Sequence, residues 1–184
     1  MNPHVEMKED KKILDSGNRR EFDSGAVRDV AEGKGRCDLL PLNVISMYFN
    51  SLIVPENPDK IKAIAVSSIL RQLDKVVRRE DDAYVEPILT AAHVFVAAQY
   101  DSNDALAIME LSRHYEEGAK KYAERNWEKG IPTHCYVDSA IRHLLKWYDG
   151  WDDEPHERAV LWNLFGLLWT LENKPECDDL PKKV

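Results

Sequence analysis

The chain has 184 residues, which is the size of one ordinary domain. Hydrophobic residues make up 43% of it, enough for a packed core, so the composition excludes a fully disordered protein. The formal net charge is −8, from 33 acidic and 25 basic residues, and this argues against a protein that binds duplex nucleic acid by neutralising its phosphates.

The spacing of the cysteines and the shortness of the apolar runs indicate in which cellular compartment the protein works. The three cysteines, Cys37, Cys135 and Cys177, lack CxxC spacing, so we expect neither a disulfide framework nor a zinc knuckle. The N-terminus lacks the apolar segment of a secretion signal, and no run approaches the ~18 apolar residues of a membrane span. We therefore predict a cytoplasmic protein that does not enter a membrane.

The charge is unevenly distributed along the chain. The first 36 residues hold eight basic and eight acidic side chains, so the remainder carries the whole net charge. Excess carboxylate in a helical region is either a solvated surface or a metal-binding cluster whose charge the metal offsets. The composition leaves both interpretations open.

The N-terminal segments are polar and irregular. Residues 1–20 are highly charged and without periodicity, and we predict a mobile tail there. Residues 21–42 hold three of the eight glycines and the basic residues Arg28, Lys34 and Arg36. We predict an ordered but irregular loop segment, because no stretch alternates apolar and polar residues as strands do.

Helical periodicity begins at residue 42, and clusters of Pro, Gly, Asp and Asn separate the helical segments. The predicted helices are 42–53, 58–79, 82–99, 103–128, 134–149 and 155–172. We predict an all-α bundle of about five to six helices, forming one domain over residues 21–175 with a C-terminal tail at 176–184.

The fourth and fifth helices carry charged residues at helical spacing. At about 100° per residue, Glu117 falls opposite the apolar stripe of its helix, whereas Glu116 lies nearer the edge of that stripe. Asp138 and Arg142 are spaced like a surface salt bridge. His143 lies on the other flank, either as a core histidine or as a group that orients a ligand or water.

The last helix is apolar almost all round, so we expect it at the centre of the bundle. His156, Asn163 and Thr170 nevertheless lie along one line of it. A buried polar side chain without a hydrogen-bond partner costs about 1–3 kcal/mol, so this polar line needs partners.

Carboxylates cluster at Glu116–Glu117 and again at Asp152–Glu154, directly before His156. At the start of the last helix they could simply stabilise the helix dipole. If carboxylates from several helices converge, their oxygens suit Mg²⁺ or Mn²⁺, which would bridge phosphate oxygens and activate a water. Both interpretations remain open at this point.

Basic and aromatic residues suggest a place for a nucleotide. The loop with Arg28, Lys34 and Arg36 is either solvated or suited to a triphosphate, although it lacks the GxxxxGK[ST] pattern of a Walker A loop. Trp127 and Trp151 lie at helix ends, where one of them could stack on a base.

A set of segments resembles a known family: FDSGAVRD, EGKGRCDLLPL, YEEGAKKYAERNWEKGIP, DSAIRHLLKWYDGWDDEPH and WNLFGLLWTLE. In this order they are similar to the phage and bacterial dATP/dGTP diphosphohydrolases and, more distantly, to the MazG-like all-α nucleoside triphosphate pyrophosphatases. The resemblance covers about 21–54 and 110–172, which leaves 55–105 as a candidate helical insert.

The resemblance implies hydrolysis of a purine deoxynucleoside triphosphate to the monophosphate and pyrophosphate, with Mg²⁺ or Mn²⁺. It also implies a homo-oligomer in the cytoplasm, the host's if the protein is phage-encoded. MazG-like enzymes bind metal through ExxE and ExxD pairs, and this chain departs from them, since Lys120 stands third after Glu117 and Glu157 third after Glu154. Ala159 stands where a second histidine often appears.

The residues and the resemblance together give the candidate site. The predicted catalytic residues are Glu117, His143, Asp153, Glu154 and His156, of which the two histidines would orient the carboxylates or the attacking water. The predicted metal ligands are Glu116, Glu117, Asp138, Asp153 and Glu154. The predicted substrate-binding residues are Arg28, Lys34, Arg36, Lys121, Arg125, Asn126 and Trp127.

Two other functions remain open. An HD-type nucleotide phosphohydrolase also uses His and Asp on helices, but it needs an adjacent His-Asp pair, which this sequence lacks. A non-catalytic nucleotide-binding or interaction module would use the same pocket for affinity without turnover.

Overall fold

The structure is a computed structural model that describes residues 12–30, 34–80 and 84–181. Over these residues the chain is an all-α bundle of six helices, which confirms the predicted fold class. The helices are α1 (Leu42–Ser51), α2 (Lys60–Arg78), α3 (Val85–Tyr100), α4 (Asp104–Tyr122), α5 (Thr133–Asp149) and α6 (His156–Asn173). Short 3₁₀ turns occupy Cys37–Leu39, Asn126–Lys129 and Pro175–Cys177. None of the described helices has the length and apolar character that crossing a membrane requires.

The most apolar helix, α6, lies at the centre and packs against α3, α4 and α5. The helix α2 packs between α1 and α3 and also contacts α5. One cluster of buried apolar side chains extends from Ala26 to Leu180. The segment 55–105, considered as an insert, therefore shares its core with the rest of the bundle.

Gly166 on α6 makes room for an aromatic side chain of α5. The ring of Tyr136, which is fully buried, lies directly over Gly166, so that a Cβ atom at this position would overlap the ring. The two helices pack closely here because glycine leaves room for the aromatic side chain.

Two short strands precede the helices, and the sequence pattern did not predict them. Strand β1 (Arg19–Glu21) pairs antiparallel with β2 (Val27–Asp29), with Arg20 opposite Arg28. Gly25 turns the chain between them at a φ of 77°, where glycine is favoured. Three residues are too few for an alternating pattern to be recognised, which is why the hairpin was expected as an irregular loop.

The first described residues pack on the bundle, in contrast to the predicted mobile tail at 1–20. The main-chain N–H groups of Ile13 and Leu14 donate to Glu117 Oε2 at 2.9 Å and to Glu154 Oε2 at 3.3 Å. Lys121 Nζ in turn donates to the carbonyl oxygen of Leu14 at 2.5 Å. Side chains of other elements fix this segment, so its own sequence carries no sign of it. Residues 1–11 of the predicted tail lie outside the described residues.

The end of the chain also packs on the bundle, at least as far as residue 181, where a tail was expected at 176–184. Leu180 is buried, and the Asp178 carboxylate accepts hydrogen bonds from Thr133 at 3.1 Å and from Arg79 at 2.7 Å. These contacts join residues far apart in the sequence, so local pattern does not reveal them. Residues 182–184 lie outside the described residues.

The helix α4 is rotated relative to its predicted orientation. Ala107, Leu111 and His114 are buried, and Glu117, expected on the outer face, approaches the buried Arg158 of α6 at 3.5 Å. The apolar stripe gave the wrong face because a buried arginine draws acidic residues toward the core.

The helix α4 also ends earlier than the predicted residue 128. Beyond Tyr122 the backbone leaves the helix, with a φ of 123° at Ala123. Asn126 then turns inward and its amide pairs with both main-chain groups of Val27, at 3.0 Å to N–H and 2.9 Å to C=O. Because the helix ends at Tyr122, the Asn126 amide reaches strand β2 and binds it.

Candidate functional site

A cavity of about 620 Å³ opens between the β-hairpin, the segment before it, and helices α4, α5 and α6. The sequence-predicted site residues that line it are Arg28, Lys34, Lys121, Asn126, Asp138, His143 and Glu154. Elements far apart in the sequence therefore contribute to one site. A cavity of this volume is suited to a nucleotide-sized ligand.

Arg28 of β2 is a partly buried cation that lines this cavity. Its Nη2 donates to Ser139 Oγ at 3.0 Å and to Asn163 Oδ1 at 3.3 Å, while its Nη1 is buried without a partner among the described residues. The guanidinium lies over the rings of Tyr136 and Trp162. Burial lowers the pKa of Arg28, because the charge is removed from water and no described carboxylate pairs with it.

The contact with Arg28 explains why one member of the polar line on the last helix, Asn163, is polar. Asn163 accepts the hydrogen bond from Arg28 and donates through its Nδ2 to the carbonyl oxygen of Ala159 at 2.7 Å. The amide is thereby oriented with its oxygen toward the cavity. A buried asparagine on an apolar helix is explained by the buried cation that it holds.

Two lysines add positive charge to the same cavity. Lys121 of α4 is only 7% exposed and lies 3.8 Å from the carboxylates of both Asp15 and Asp29. Lys34 contacts Asp29 at 3.2 Å. The two lysines share the acidic partner Asp29, whereas Arg28 has no carboxylate partner among the described residues.

The pair of Asp138 and Arg142 fixes the loop that carries Lys34. Asp138 is 4% exposed, and it accepts hydrogen bonds from Arg142 and, at 2.6 Å, from the main-chain N–H of Cys37. Arg142 also donates to the carbonyl oxygens of Lys34 and Gly35 at 3.1 and 3.2 Å. The expected surface salt bridge is thus a buried anchor, and both oxygens of the predicted metal ligand Asp138 are occupied.

Two histidines and a carboxylate meet at one wall of the cavity. Nδ1 of His143 lies 3.0 Å from Nδ1 of His156, and Glu154 Oε1 lies 3.6 and 3.8 Å from these two atoms. On the far side of the ring, His156 Nε2 lies 2.7 Å from Asp153 Oδ1, and Lys146 donates to the other oxygen of Asp153 at 2.8 Å. We call His143, Glu154 and His156 the His–Glu–His cluster.

Within this cluster, the environment of His143 favours its neutral imidazole. Burial lowers the pKa of His143 well below its ordinary value, and the neighbouring His156 adds to the effect. The pKa of Asp153 is lowered by its hydrogen bonds to Lys146 and His156, which outweigh the opposing effect of burial. A neutral His143 keeps a lone pair on one ring nitrogen at neutral pH.

The five predicted metal ligands are not brought together. Glu116 is exposed and pairs with Lys120 at 2.5 Å, while Glu117 binds the N–H of Ile13 and lies near Arg158. Asp153 orients His156 instead of lining the cavity, and both oxygens of Asp138 are engaged. Of these carboxylates only Glu154 reaches the two imidazoles, so the residues present do not form an all-carboxylate Mg²⁺ site.

Several predicted substrate-binding residues point elsewhere. Arg36 pairs with Asp38 at 2.5 Å, which raises the pKa of the arginine, and it does not line the cavity. Arg125 is 76% exposed and pairs with Glu128. Trp127 packs in an aromatic cluster and does not border this cavity. Basic residues and tryptophans at loop and helix ends look alike in sequence, and only their placement separates them.

Residues 96–180 match the family model described as dATP/dGTP diphosphohydrolase, N-terminal. Over these residues the chain is similar to the dATP/dGTP diphosphohydrolase family. The match includes α4, α5 and α6, which carry Lys121, Asn163 and the His–Glu–His cluster. The resemblance at 21–54 lies outside the matched residues and stays a prediction. No curated protein and no solved structure matches the chain.

Within the matched residues 96–180, sequence reasoning missed two buried polar residues, His114 and Arg158. His114 borders the cavity with an unpartnered Nδ1, and its pKa is lowered to about 3 by burial and by the nearby Arg158, Arg28 and Lys121. Arg158 binds Glu110 at 2.6 Å and links α6 to α4. The available signal was helical spacing, since His114 stands seven residues before Lys121 and so lies on the same face.

Proposed function

We propose that this chain hydrolyses purine deoxynucleoside triphosphates, dATP and dGTP, to the monophosphate and pyrophosphate in a metal-dependent reaction. The match of residues 96–180 to the dATP/dGTP diphosphohydrolase family model supports a hydrolase acting on these nucleotides. The observation that carries the proposal to this cavity is Arg28, a buried guanidinium with a free N–H group and no carboxylate partner among the described residues. A buried cation of this kind is stabilised by an incoming phosphate.

The cavity divides by chemistry into two walls. The wall with Arg28, Lys34 and Lys121 supplies positive charge for a triphosphate chain. Another part of the lining holds His143 and Glu154 of the His–Glu–His cluster, where neutral imidazole and carboxylate can orient a water. A substrate that spans both walls would place its phosphates between the cations and the water-orienting groups.

The reaction that fits this division is in-line attack on the α-phosphorus. A bond forms between the water oxygen and the α-phosphorus as the bond to the bridging oxygen of the β-phosphate breaks, and pyrophosphate leaves. Arg28 and the lysines would stabilise the negative charge of the leaving pyrophosphate. A bound divalent metal would lower the pKa of the attacking water, so no separate nucleophilic side chain is required.

The direct test is to incubate the purified chain with each dNTP and a divalent metal and to separate the products. We expect deoxynucleoside monophosphate and pyrophosphate, with dATP and dGTP preferred over the pyrimidine nucleotides. Release of inorganic triphosphate with a nucleoside would instead indicate chemistry of the HD type. Tight dNTP binding by calorimetry without any product would indicate a non-catalytic module.

Substitution of Glu154 separates an enzyme from a binding module. We expect Glu154→Gln to lower turnover by about 100-fold or more while circular dichroism stays unchanged, because the carboxylate faces both imidazoles across the cavity. Glu116→Gln is the matched control, since this side chain is exposed and borders a different surface. We expect the enzyme to act in the cytoplasm, the host's if the protein is phage-encoded.

A further inference from the structure

We propose that the His–Glu–His cluster binds one transition-metal cation, of the class of Zn²⁺ or Co²⁺, in preference to Mg²⁺. The three ligand atoms are Nδ1 of His143, Nδ1 of His156 and Oε1 of Glu154. Metal binding at this cluster is independent of the proposed function, and only the use of the metal in hydrolysis rests on it.

The separations between the three atoms fit a single ion. They are 3.0, 3.6 and 3.8 Å, and a point about 2.0 Å from all three atoms lies at the centre of the triangle they form. Transition metals bind imidazole nitrogen and carboxylate oxygen at about 2.0–2.2 Å. The side chains therefore already stand at ligand distance from a common centre.

The hydrogen bond behind His156 sets which nitrogen faces that centre. A ring N–H at Nε2 is placed to donate to Asp153 at 2.7 Å, which leaves the lone pair of Nδ1 directed toward the other two ligands. Metal-binding histidines characteristically donate their other ring N–H to a carboxylate in this way. Lys146, bound to the second oxygen of Asp153, holds that carboxylate in place.

The ligand types determine the choice of metal. Mg²⁺ prefers an octahedron of oxygens and keeps several waters, whereas imidazole favours Zn²⁺, Co²⁺ and other transition metals. Two of the three ligands here are imidazoles, and the cluster lies beside a cavity that His143 and Glu154 both line. Three protein ligands leave coordination positions open toward the cavity, as in catalytic zinc sites.

The test uses the full chain after removal of metals with a chelator. It is titrated with Co²⁺, whose visible absorption reports nitrogen and oxygen ligands, and with Zn²⁺ and Mg²⁺ by calorimetry. We expect one Co²⁺ or Zn²⁺ per chain, and affinity for Mg²⁺ weaker by about 100-fold or more. Equal affinity for Mg²⁺, or no Co²⁺ binding, would overturn the proposal, since the two imidazoles would then only share a proton.

Variants identify the site. We expect His143→Gln to abolish Co²⁺ absorption, and Asp153→Asn, which keeps all three ligands, to weaken binding by about 10–100-fold. The matched control is His134→Gln, because His134 lies beside Cys135 and Asp179 and could itself take up cobalt. Loss of the signal in His134→Gln, or its retention in a folded His143→Gln, would contradict the assignment.

The outcomes also separate this inference from the proposed function. One tightly bound Co²⁺ in a chain that converts no dNTP would support the metal site and overturn the proposed reaction. Full hydrolysis with Mg²⁺ by a chain that binds neither Co²⁺ nor Zn²⁺ at the cluster would do the reverse.

Discussion

Arg28 illustrates a conflict between stability and function at the scale of one residue. Removing a guanidinium from water without a carboxylate partner is unfavourable, and among the described residues Arg28 contacts an amide, a hydroxyl and two aromatic rings. The same arrangement leaves N–H groups ready for an anion. Such residues are retained where a ligand supplies the missing charge.

Replacement of Arg28 tests this interpretation. We expect Arg28→Met to lower kcat/KM by about 10–100-fold, since a hydrogen bond to a charged group contributes about 1.5–3 kcal/mol. The melting temperature should not fall, because the methionine removes a buried charge without a described carboxylate partner. Arg36→Met, which alters an exposed arginine paired with Asp38, should leave kcat/KM within about two-fold. Equal losses in both variants would contradict a special role for Arg28.

His114 makes stability depend on pH. Its pKa is lowered to about 3 in the folded protein, against about 6.5 when unfolded, so the unfolded chain binds the extra proton first as pH falls. The free energy of unfolding should therefore decrease as pH falls below about 6.5, with a slope that approaches ~1.4 kcal/mol per pH unit from this group.

The measurement is urea unfolding of the chelator-treated protein between pH 7 and pH 4. We expect His114→Gln to show a shallower dependence on pH than the parent chain. His93→Gln, which alters an exposed histidine, serves as the control and should keep the parent slope. An identical slope in all three proteins would show that His114 does not contribute.

At the scale of elements, long-range polar anchors connect the irregular segments to the helices. Asp138 on α5 holds the main-chain N–H of Cys37, and Asn126 holds both main-chain groups of Val27. These two side chains fix the loop and the strand that present Lys34 and Arg28 to the cavity. The hairpin and loop make few main-chain hydrogen bonds with the helices themselves, so the side chains carry the connection.

We expect Asp138→Ala to destabilise the protein by about 3 kcal/mol, because it leaves the partly buried N–H of Cys37 and the partly buried Arg142 without this partner. Urea unfolding measures the loss, and dNTP affinity should fall with it because Lys34 loses its anchor. Glu116→Ala, at an exposed pair, should leave the unfolding midpoint unchanged. A change below about 1 kcal/mol would indicate that the anchor is not required.

The two helical glycines offer a test of helix packing. At Gly166 a Cβ would overlap the ring of Tyr136, so Gly166→Ala should lower the free energy of unfolding by about 1–3 kcal/mol. At Gly118 there is open space, and Gly118→Ala should raise it by about 0.5–1 kcal/mol through helix propensity. Urea midpoints compare the two directly, and a shift of the same sign in both would contradict this packing.

At the scale of the molecule, the uneven charge acquires a spatial meaning. The near-neutral N-terminal part contributes Arg28 and Lys34, and the acidic remainder contributes Glu154 with its two histidines. Both meet in one cavity, which places cations near the His–Glu–His cluster. The proposed function would therefore let an acidic protein hold a polyphosphate without a basic surface.

The predicted homo-oligomer has a candidate interface on α1. Val44, Met47 and Tyr48 are each more than half exposed on this helix, so the face carries apolar surface that a second copy could cover. We expect light scattering to show an oligomer for the parent chain and a smaller mass for Met47→Glu. Arg71→Glu, an exposed residue on α2, is the control and should keep the parent mass. A monomeric parent chain would end this prediction.

The sequence by itself determined the helices and their approximate limits, because helical spacing and Pro, Gly and Asn breaks are local properties. It also pointed to His143, Glu154 and His156, which lie close together in sequence at the α5–α6 connection. Only the tertiary structure decided that Arg28 faces the cavity while Arg36 pairs with Asp38, and that Glu117 turns toward Arg158. Those choices depend on which charges become buried together, and burial is a property of the packed molecule that no short stretch of sequence contains.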